Sequence, residues 1–184
     1  MSFSTPLFLI VYFPIVCIGY YFLPEKFKNG WLLLSSLVFY AWIGFKYLII
    51  LLAFTLINYV FGALIEQNRK KLILIIAIIC DLSFLLWYKY ANFILTNIMA
   101  LMQKNIYIIS NAVEFTENLV MPMGLSFFVF RGISYIVDVY KDKIRACRNC
   151  RNFLLYMVMF PYIISGPIVR YGDVGEAIGT KKNV

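Results

Sequence analysis

The sequence contains no histidine, and only nine of its 184 residues are acidic. Without an imidazole, a Ser-His-Asp triad, a Cys-His pair and a histidine-based metal site or general base are all excluded within these residues. Neither a G-x-x-x-x-G-K-[ST] phosphate loop nor a G-x-G-x-x-G dinucleotide fingerprint occurs. Internal repeats and low-complexity tracts are also missing, so neither a solenoid nor an inverted-repeat transporter gains support. Cysteine is sparse. Cys17 and Cys80 lie inside apolar runs, and Cys147 and Cys150 form one C-x-x-C in a basic loop. Two thiols cannot complete a four-ligand zinc site, and nothing thioredoxin-like surrounds them, so no metal is expected.

Charge is scarce as well. Charged residues make up 14% of the chain and hydrophobic ones 62%, against about a quarter and about half in soluble domains. The remaining cations, 17 against nine acids, fall in short gaps between apolar runs. That pattern reads as the cytoplasmic loops of a membrane protein rather than as a nucleic-acid surface.

The runs are long. A first span covers about Phe3 to Leu23, with Pro14 as a kink that a membrane helix absorbs. No basic residue precedes it and no A-x-A site follows, so it reads as an anchor rather than a cleaved signal. Pro24 to Gly30 reads as a turn carrying Lys26 and Lys28. Trp31 to Ile65 exceeds one span of about 20 residues and breaks at Gly44, which predicts helices over 31–43 and 47–65. After the basic gap 66–71, Leu72 to Tyr88 forms another span, and 89–102 either continues it or lies in the interface. Residues 103–118 are the most polar and are placed outside. Val120 to Tyr140 crosses back into Lys141–Arg151, where five basic residues face one acid, the strongest inside signal in the chain. Phe153 to Val169 either spans or bends back, broken by Pro161, Gly166 and Pro167. The expected fold is all-α: a polytopic transmembrane helix bundle of five or six spans in the cell inner or plasma membrane, with the lipid bilayer as its first partner and no separate soluble domain.

Polar groups at membrane depth are costly, about 2.5–3.5 kcal/mol per charge on the gentler scales, so each needs a reason. Asp81 sits mid-span and faces the bundle interior, either as a structural hydrogen-bonding group or as part of a cavity wall. Arg131, Tyr135 and Asp138, spaced i, i+4 and i+7, share one helical face. Ser134 borders it, and Gly124, Ser126 and Gly132 allow close approach. An Arg–Asp pair tethering helices and the polar wall of a cavity both explain this stripe. These observations reach a membrane protein with a polar interior and name no reaction.

Four stretches in register carry a resemblance. Met1-Ser-Phe-Ser-Thr-Pro-Leu-Phe-Leu with Trp31-Leu-Leu-Leu-Ser-Ser-Leu-Val-Phe-Tyr-Ala-Trp42 resembles the opening of bacterial membrane-bound O-acyltransferases of the alginate O-acetyltransferase type. Trp87-Tyr-Lys-Tyr-Ala-Asn-Phe93 is similar to their Y-F-K-Y-x-N/D-F. Met121-Pro-Met-Gly-Leu-Ser-Phe-Phe-Val-Phe-Arg-Gly-Ile-Ser-Tyr-Ile-Val-Asp-Val-Tyr140 is similar to L-P-L-G-I-S-F-Y-T-F-Q-x-L-S-Y-x-x-D-x-Y. Phe160-Pro-Tyr-Ile-Ile-Ser-Gly-Pro-Ile-Val-Arg-Tyr171 resembles F-F-P-x-L-I-A-G-P-I-x-R-Y.

The resemblance implies transfer of an acyl group, usually acetyl, to a hydroxyl of a cell-surface polysaccharide or of a periplasmic or extracellular acyl-accepting protein. It implies no bound cofactor; acetyl-CoA or an acyl carrier would be the donor. A membrane-embedded histidine in the C-terminal half of the family's longer proteins is the catalytic centre. Residues 1–184 therefore read as the N-terminal part of such a domain, incomplete relative to the family fold and inactive alone. No residue is assigned a catalytic role. Ser126, Arg131, Tyr135, Asp138 and Arg170 are the candidate tunnel-lining residues, and Asp81 the further intramembrane polar group. Arg131 stands where the family usually has Gln. The competing expectations are a small transporter or channel subunit, with Asp81, Arg131 and Asp138 along a conduit, and a non-catalytic membrane scaffold.

Overall fold

The structure, a computed structural model, describes residues 8–102, 122, 124–159 and 169–179. Every described element is helical. A five-residue π-helical turn, Phe8–Tyr12, runs into α1 (Phe13–Phe22). There follow α2 (Glu25–Ile43), α3 (Phe45–Asn68) and α4 (Lys71–Met102). Then come α5 (Leu125–Tyr140), α6 (Cys150–Val158) and α7 (Tyr171–Gly179). The external placement of 103–118, and Pro161, Gly166 and Pro167, lie outside the described residues.

Local chemistry explains most boundaries. Pro14 has no N–H to give the preceding turn, and its ring would crowd the carbonyl four residues back. The wider π turn just before it relieves that crowding. Gly44 separates α2 from α3 as the sequence predicts, and α4 runs on through 89–102 rather than stopping at Tyr88. One expectation is corrected: residues 25–30 are the first turns of α2, not a turn between helices. Pro24 supplies a preset N-cap, with φ −63°, and Glu25 sits favourably at the positive end of the helix dipole. Asn29 in that segment donates to the Ile178 carbonyl at 3.0 Å, tying it to α7.

Two described helices are long and apolar enough to cross a bilayer, α3 and the Lys71–Ala91 portion of α4. At about 1.5 Å per residue, the 24 residues of α3 reach about 36 Å, past a hydrocarbon core of about 30 Å. The 16 residues of α5 reach only about 24 Å, so α5 falls short of the span that 120–140 suggests. Its helix begins only after Gly124, which holds φ 79°. That left-handed conformation strains any residue with a Cβ, so the helix starts where glycine permits the turn.

The core lies where α5 meets α3 and α4. Leu51, Phe54 and Ile65 of α3 pack with Leu125, Phe128, Tyr135 and Ile136 of α5 and with Phe153 of α6. A smaller cluster of Phe8, Val16 and Phe39 joins the N-terminal helix to α2. Outside this core large apolar side chains stay exposed. Leu72, Ile75, Ile76, Ile79 and Leu86 do so along α4, and Ile15, Ile18 and Phe22 along α1. Apolar surface this continuous is what a helix offers to lipid. Over the described residues the chain is thus all-helical, with two helices long and apolar enough to cross a membrane.

In lipid, apolar burial between helices gains little, because acyl tails are as apolar as leucine; close approach and polar contacts hold helices together. Gly62 of α3 provides such an approach. A Cβ at this position would sit 2.6 Å from the Tyr135 ring, which is fully buried and wedged against Phe153 at 4.6 Å between centroids. Gly62→Ala should therefore lower stability by about 1–3 kcal/mol, the usual range for overpacking, read as a drop in the unfolding midpoint of detergent-purified protein. An unchanged midpoint would mean that Tyr135 does not seat on α3.

Candidate functional site

Helix α5 presents the stripe foreseen from its spacing. Arg131 is 2% exposed, Tyr135 fully buried and Asp138 8% exposed. Ser126, in the first turn, is half-buried, whereas Arg170 lies at the surface just before α7. The structure thus brings Arg131, Tyr135 and Asp138 together inside the protein and leaves Arg170 outside that group. Asp81, also fully buried, approaches the bundle from α4.

Arg131 reaches from α5 to the end of α6. Its Nη1 donates to the carbonyls of Tyr156 and Met157, each at 3.0 Å, and its guanidinium lies 5.5 Å from the centre of the Tyr156 ring. The sequence explains why those carbonyls need a donor. Helix α6 ends at Val158, and the last four carbonyls of a helix have no partner within it. For Met157 the residue four positions on is Pro161, which has no N–H to offer. A cation at a helix C-terminus also meets the negative end of its dipole. Arg131 is therefore a clamp between α5 and α6, and its charge is held by backbone dipoles and a ring face.

Asp81 is met by a residue the sequence reading did not single out. Asn58 of α3 donates from Nδ2 to Asp81 Oδ1 at 3.0 Å and to the Phe54 carbonyl at 3.2 Å. Its Oδ1 points at Gly132 of α5, where a Cβ would come within 2.7 Å. Helices α3, α4 and α5 therefore converge on one buried amide–carboxyl pair. Asn58 Oδ1 and Asp81 Oδ2 have no hydrogen-bond partner among the described residues, so the pair uses one acceptor position of each and leaves another. The signal for Asn58 was available: it is the single amide in an apolar run, and such groups need partners in lipid.

Tyr135 anchors the basic loop that follows α5. Its hydroxyl accepts from the Cys147 N–H at 2.9 Å. Tyr59 donates to the Arg148 carbonyl at 2.9 Å, and Glu66 accepts from the Ala146 N–H at 3.2 Å. Aromatic contacts extend this anchor: Tyr171 meets Tyr135 at 5.4 Å and Tyr156 at 5.1 Å, edge to face. Burial pushes the Tyr171 hydroxyl well above the usual phenol range, with a Cys147 hydrogen bond adding to it, so that ring stays neutral in ordinary buffers. Tyr156 donates to the Val169 carbonyl at 3.1 Å, which ties α6 to the chain just before α7.

No cluster of three or more metal-ligating side chains occurs among the described residues. The interior combines a carboxyl, an amide, a guanidinium and a phenol.

Two outcomes test these assignments. Asn58→Leu should destabilise the protein by stranding the Asp81 carboxyl, and Asn58→Leu with Asp81→Leu should recover part of the loss. A coupling of about 0.6–1.7 kcal/mol is expected from such cycles in membrane helices; zero coupling in detergent unfolding would show that the two side chains do not interact. Arg131→Leu, which strands the Tyr156 and Met157 carbonyls, should cost about 1–3 kcal/mol. Arg131→Gln, which keeps a donor, should cost less. Equal losses for the two variants, measured in the same way, would contradict the clamp.

The chain is 33% identical to the probable alginate O-acetylase of Pseudomonas syringae pv. tomato, over 98% of its own length and 35% of the relative's. To the probable alginate O-acetylase of Azotobacter vinelandii it is 35% identical, over 95% of the chain and 35% of the relative. The peptidoglycan O-acetyltransferase of Helicobacter pylori is 29% identical over the whole chain and 40% of its own length. The chain thus spans about a third of the length of the alginate relatives it matches. No protein-family model matches it, and no solved structure matches it significantly. Along nearly its entire length, the chain is therefore shown to be similar to the alginate and peptidoglycan O-acetyltransferases, the group its four motifs resemble.

Proposed function

We propose that residues 1–184 supply an N-terminal portion of a membrane-bound O-acyltransferase domain that places an acetyl group on hydroxyls of a cell-surface polysaccharide. The observation that carries this reading is the similarity of nearly the whole chain to proteins named for alginate and peptidoglycan O-acetylation. The structure lends support through Arg131, Tyr135 and Asp138, which lie buried on the α5 face toward the other helices.

In this reading Ser126, Arg131, Tyr135 and Asp138 border the passage through which acceptor or donor reaches the reaction centre. Arg131 and Tyr135 act as positioning residues: they fix α6 and the basic loop against α5. Arg170, exposed just before α7, stands apart from this buried group. Acyl transfer to a hydroxyl needs a general base to take its proton, and the resemblance assigns that role to a histidine. These 184 residues hold none, so the base comes from beyond them. A water-poor passage favours transfer to the sugar hydroxyl over hydrolysis of the acyl donor.

The reading predicts that deleting the coding sequence lowers base-labile acetate on the cell-surface polysaccharide. It also predicts that purified 1–184 in proteoliposomes transfers no acetyl from a thioester donor above a vesicle blank. Unchanged polysaccharide acetate would contradict the first prediction, and transfer above the blank the second. Ion or solute flux through those proteoliposomes that vanishes in Asp138→Asn would favour a conduit instead.

A further inference from the structure

The loop after α5 builds a second feature that the acyl-transfer reading does not use. Lys143, Arg145 and Arg148, with Tyr171 and Gly172 of α7, line an open cleft of about 500 Å³. The first turns of α6 and α7 both contribute to its wall, through Asn152 and through Tyr171 and Gly172. The first turn of each helix, where its dipole is positive, thus borders the cleft. Among the described residues no carboxylate forms an ion pair with Lys143, Arg145 or Arg148. Among the described residues that line the cleft there is no carboxylate. Asp142 pairs with Arg69 at 2.5 Å, Glu66 accepts from the Ala146 N–H, and Asp173 is exposed in the first turn of α7. The cleft is therefore cationic by construction.

Its height relative to the membrane is fixed as well. The loop is tied to the last turns of α3 by Glu66 with Ala146 and Tyr59 with Arg148, and to the α3–α4 junction by Arg69 with Asp142. Arg69 and Asp142 both adopt left-handed backbone, with φ 46° and 56°, and their ion pair joins these two tight turns. Helix α3 is one of the two that can span the bilayer. Its polar end, followed by Lys70 and Lys71, marks the boundary between hydrocarbon and water. Beyond that boundary the outer face of α4 begins with exposed Leu72, Ile75 and Ile76, surface on which acyl chains can lie. A cationic cleft tied to the polar end of a membrane-capable helix, next to the junction from which α4 sets out, matches the anionic phosphate of a lipid headgroup.

We propose that this cleft binds the phosphodiester headgroup of an anionic phospholipid, with Arg145 and Arg148 as the principal phosphate contacts and Lys143 at the rim. Basic pockets beside membrane helices recognise lipid headgroups in this way, and arginine suits phosphate because its planar fork donates two parallel hydrogen bonds. The inference rests on the membrane placement of α3 and α4 and stands whatever the acyl-transfer reading proves to be.

The test is native mass spectrometry of the full chain, purified in detergent and exposed separately to phosphatidylglycerol, phosphatidylcholine and inorganic phosphate. Phosphatidylglycerol adducts are expected to survive at collision energies that strip phosphatidylcholine. Arg145→Gln and Arg148→Gln should each reduce retention about fivefold, the loss expected for one cation near an anionic headgroup. Lys26→Gln with Lys28→Gln, in another basic segment, should leave it unchanged. Equal retention of the two lipids by the unaltered chain would overturn the proposal without relying on any variant's folding. Retention unaffected by either arginine substitution in protein of unchanged helical content would also overturn it. Inorganic phosphate held as firmly as phosphatidylglycerol would show that the cleft takes a soluble phosphate and no lipid.

Discussion

Two glycines, one on α3 and one on α5, set the geometry on which the interior depends. Gly62 of α3 admits the ring of Tyr135 from α5, and Gly132 of α5 admits the amide of Asn58 from α3. Each helix thus carries a notch and, one turn away, the side chain that fills the other's notch. The exchange lets two backbones approach closely in a medium where hydrophobic force contributes little to helix association. It also fixes register. Asn58 reaches Asp81 on α4 only because Gly132 leaves room for its oxygen, and Tyr135 reaches the Cys147 N–H only because Gly62 leaves room for its ring.

From that contact the polar interior follows. A charge or amide inside a membrane protein must be satisfied by other protein groups, and the solutions here differ in kind. Arg131 uses backbone carbonyls at the end of α6, which would otherwise have no donor. Asp81 uses a side-chain amide and keeps a second oxygen without a described partner. Thr55 bonds back to the Leu51 carbonyl in its own helix, at 2.7 Å. The first two arrangements join helices and the third does not. Arg131 and Asp81 therefore bear on architecture in a way that this intrahelical bond does not.

The sequence made legible whatever depends on period and on local breaks. The division at Gly44, the helix starting beside Leu72 and the shared face of Arg131, Tyr135 and Asp138 can all be read by counting residues. Partners could not be read that way. Periodicity says which side of α4 carries Asp81, yet the identity of Asn58 depends on how α3 rotates against it. Arg131 and Asp138 on one face suggest an ion pair, but Arg131 Nη1 donates to carbonyls 25 and 26 residues away, and Pro161 is the sequence clue to why. Residues 25–30 look like a turn because Pro, Asn and Gly cluster there. The contact of Asn29 with α7, far along the chain, helps hold them helical. Among the candidate tunnel residues, Arg170 shows the limit of motif matching: it falls within a matched stretch, and its side chain is at the surface.

The account stands on one spatial claim: α4 turns its outer face to lipid while the polar face of α5 is shut inside the protein. Photolabelling by a carbene carried on a phospholipid acyl chain, followed by peptide mapping, measures this directly. Label should enter Ile75, Ile79 and Leu86 of α4 and the exposed Phe130 of α5, and should spare Phe128, Arg131 and Tyr135. Comparable labelling of Arg131 or Tyr135, or none on α4, would contradict it.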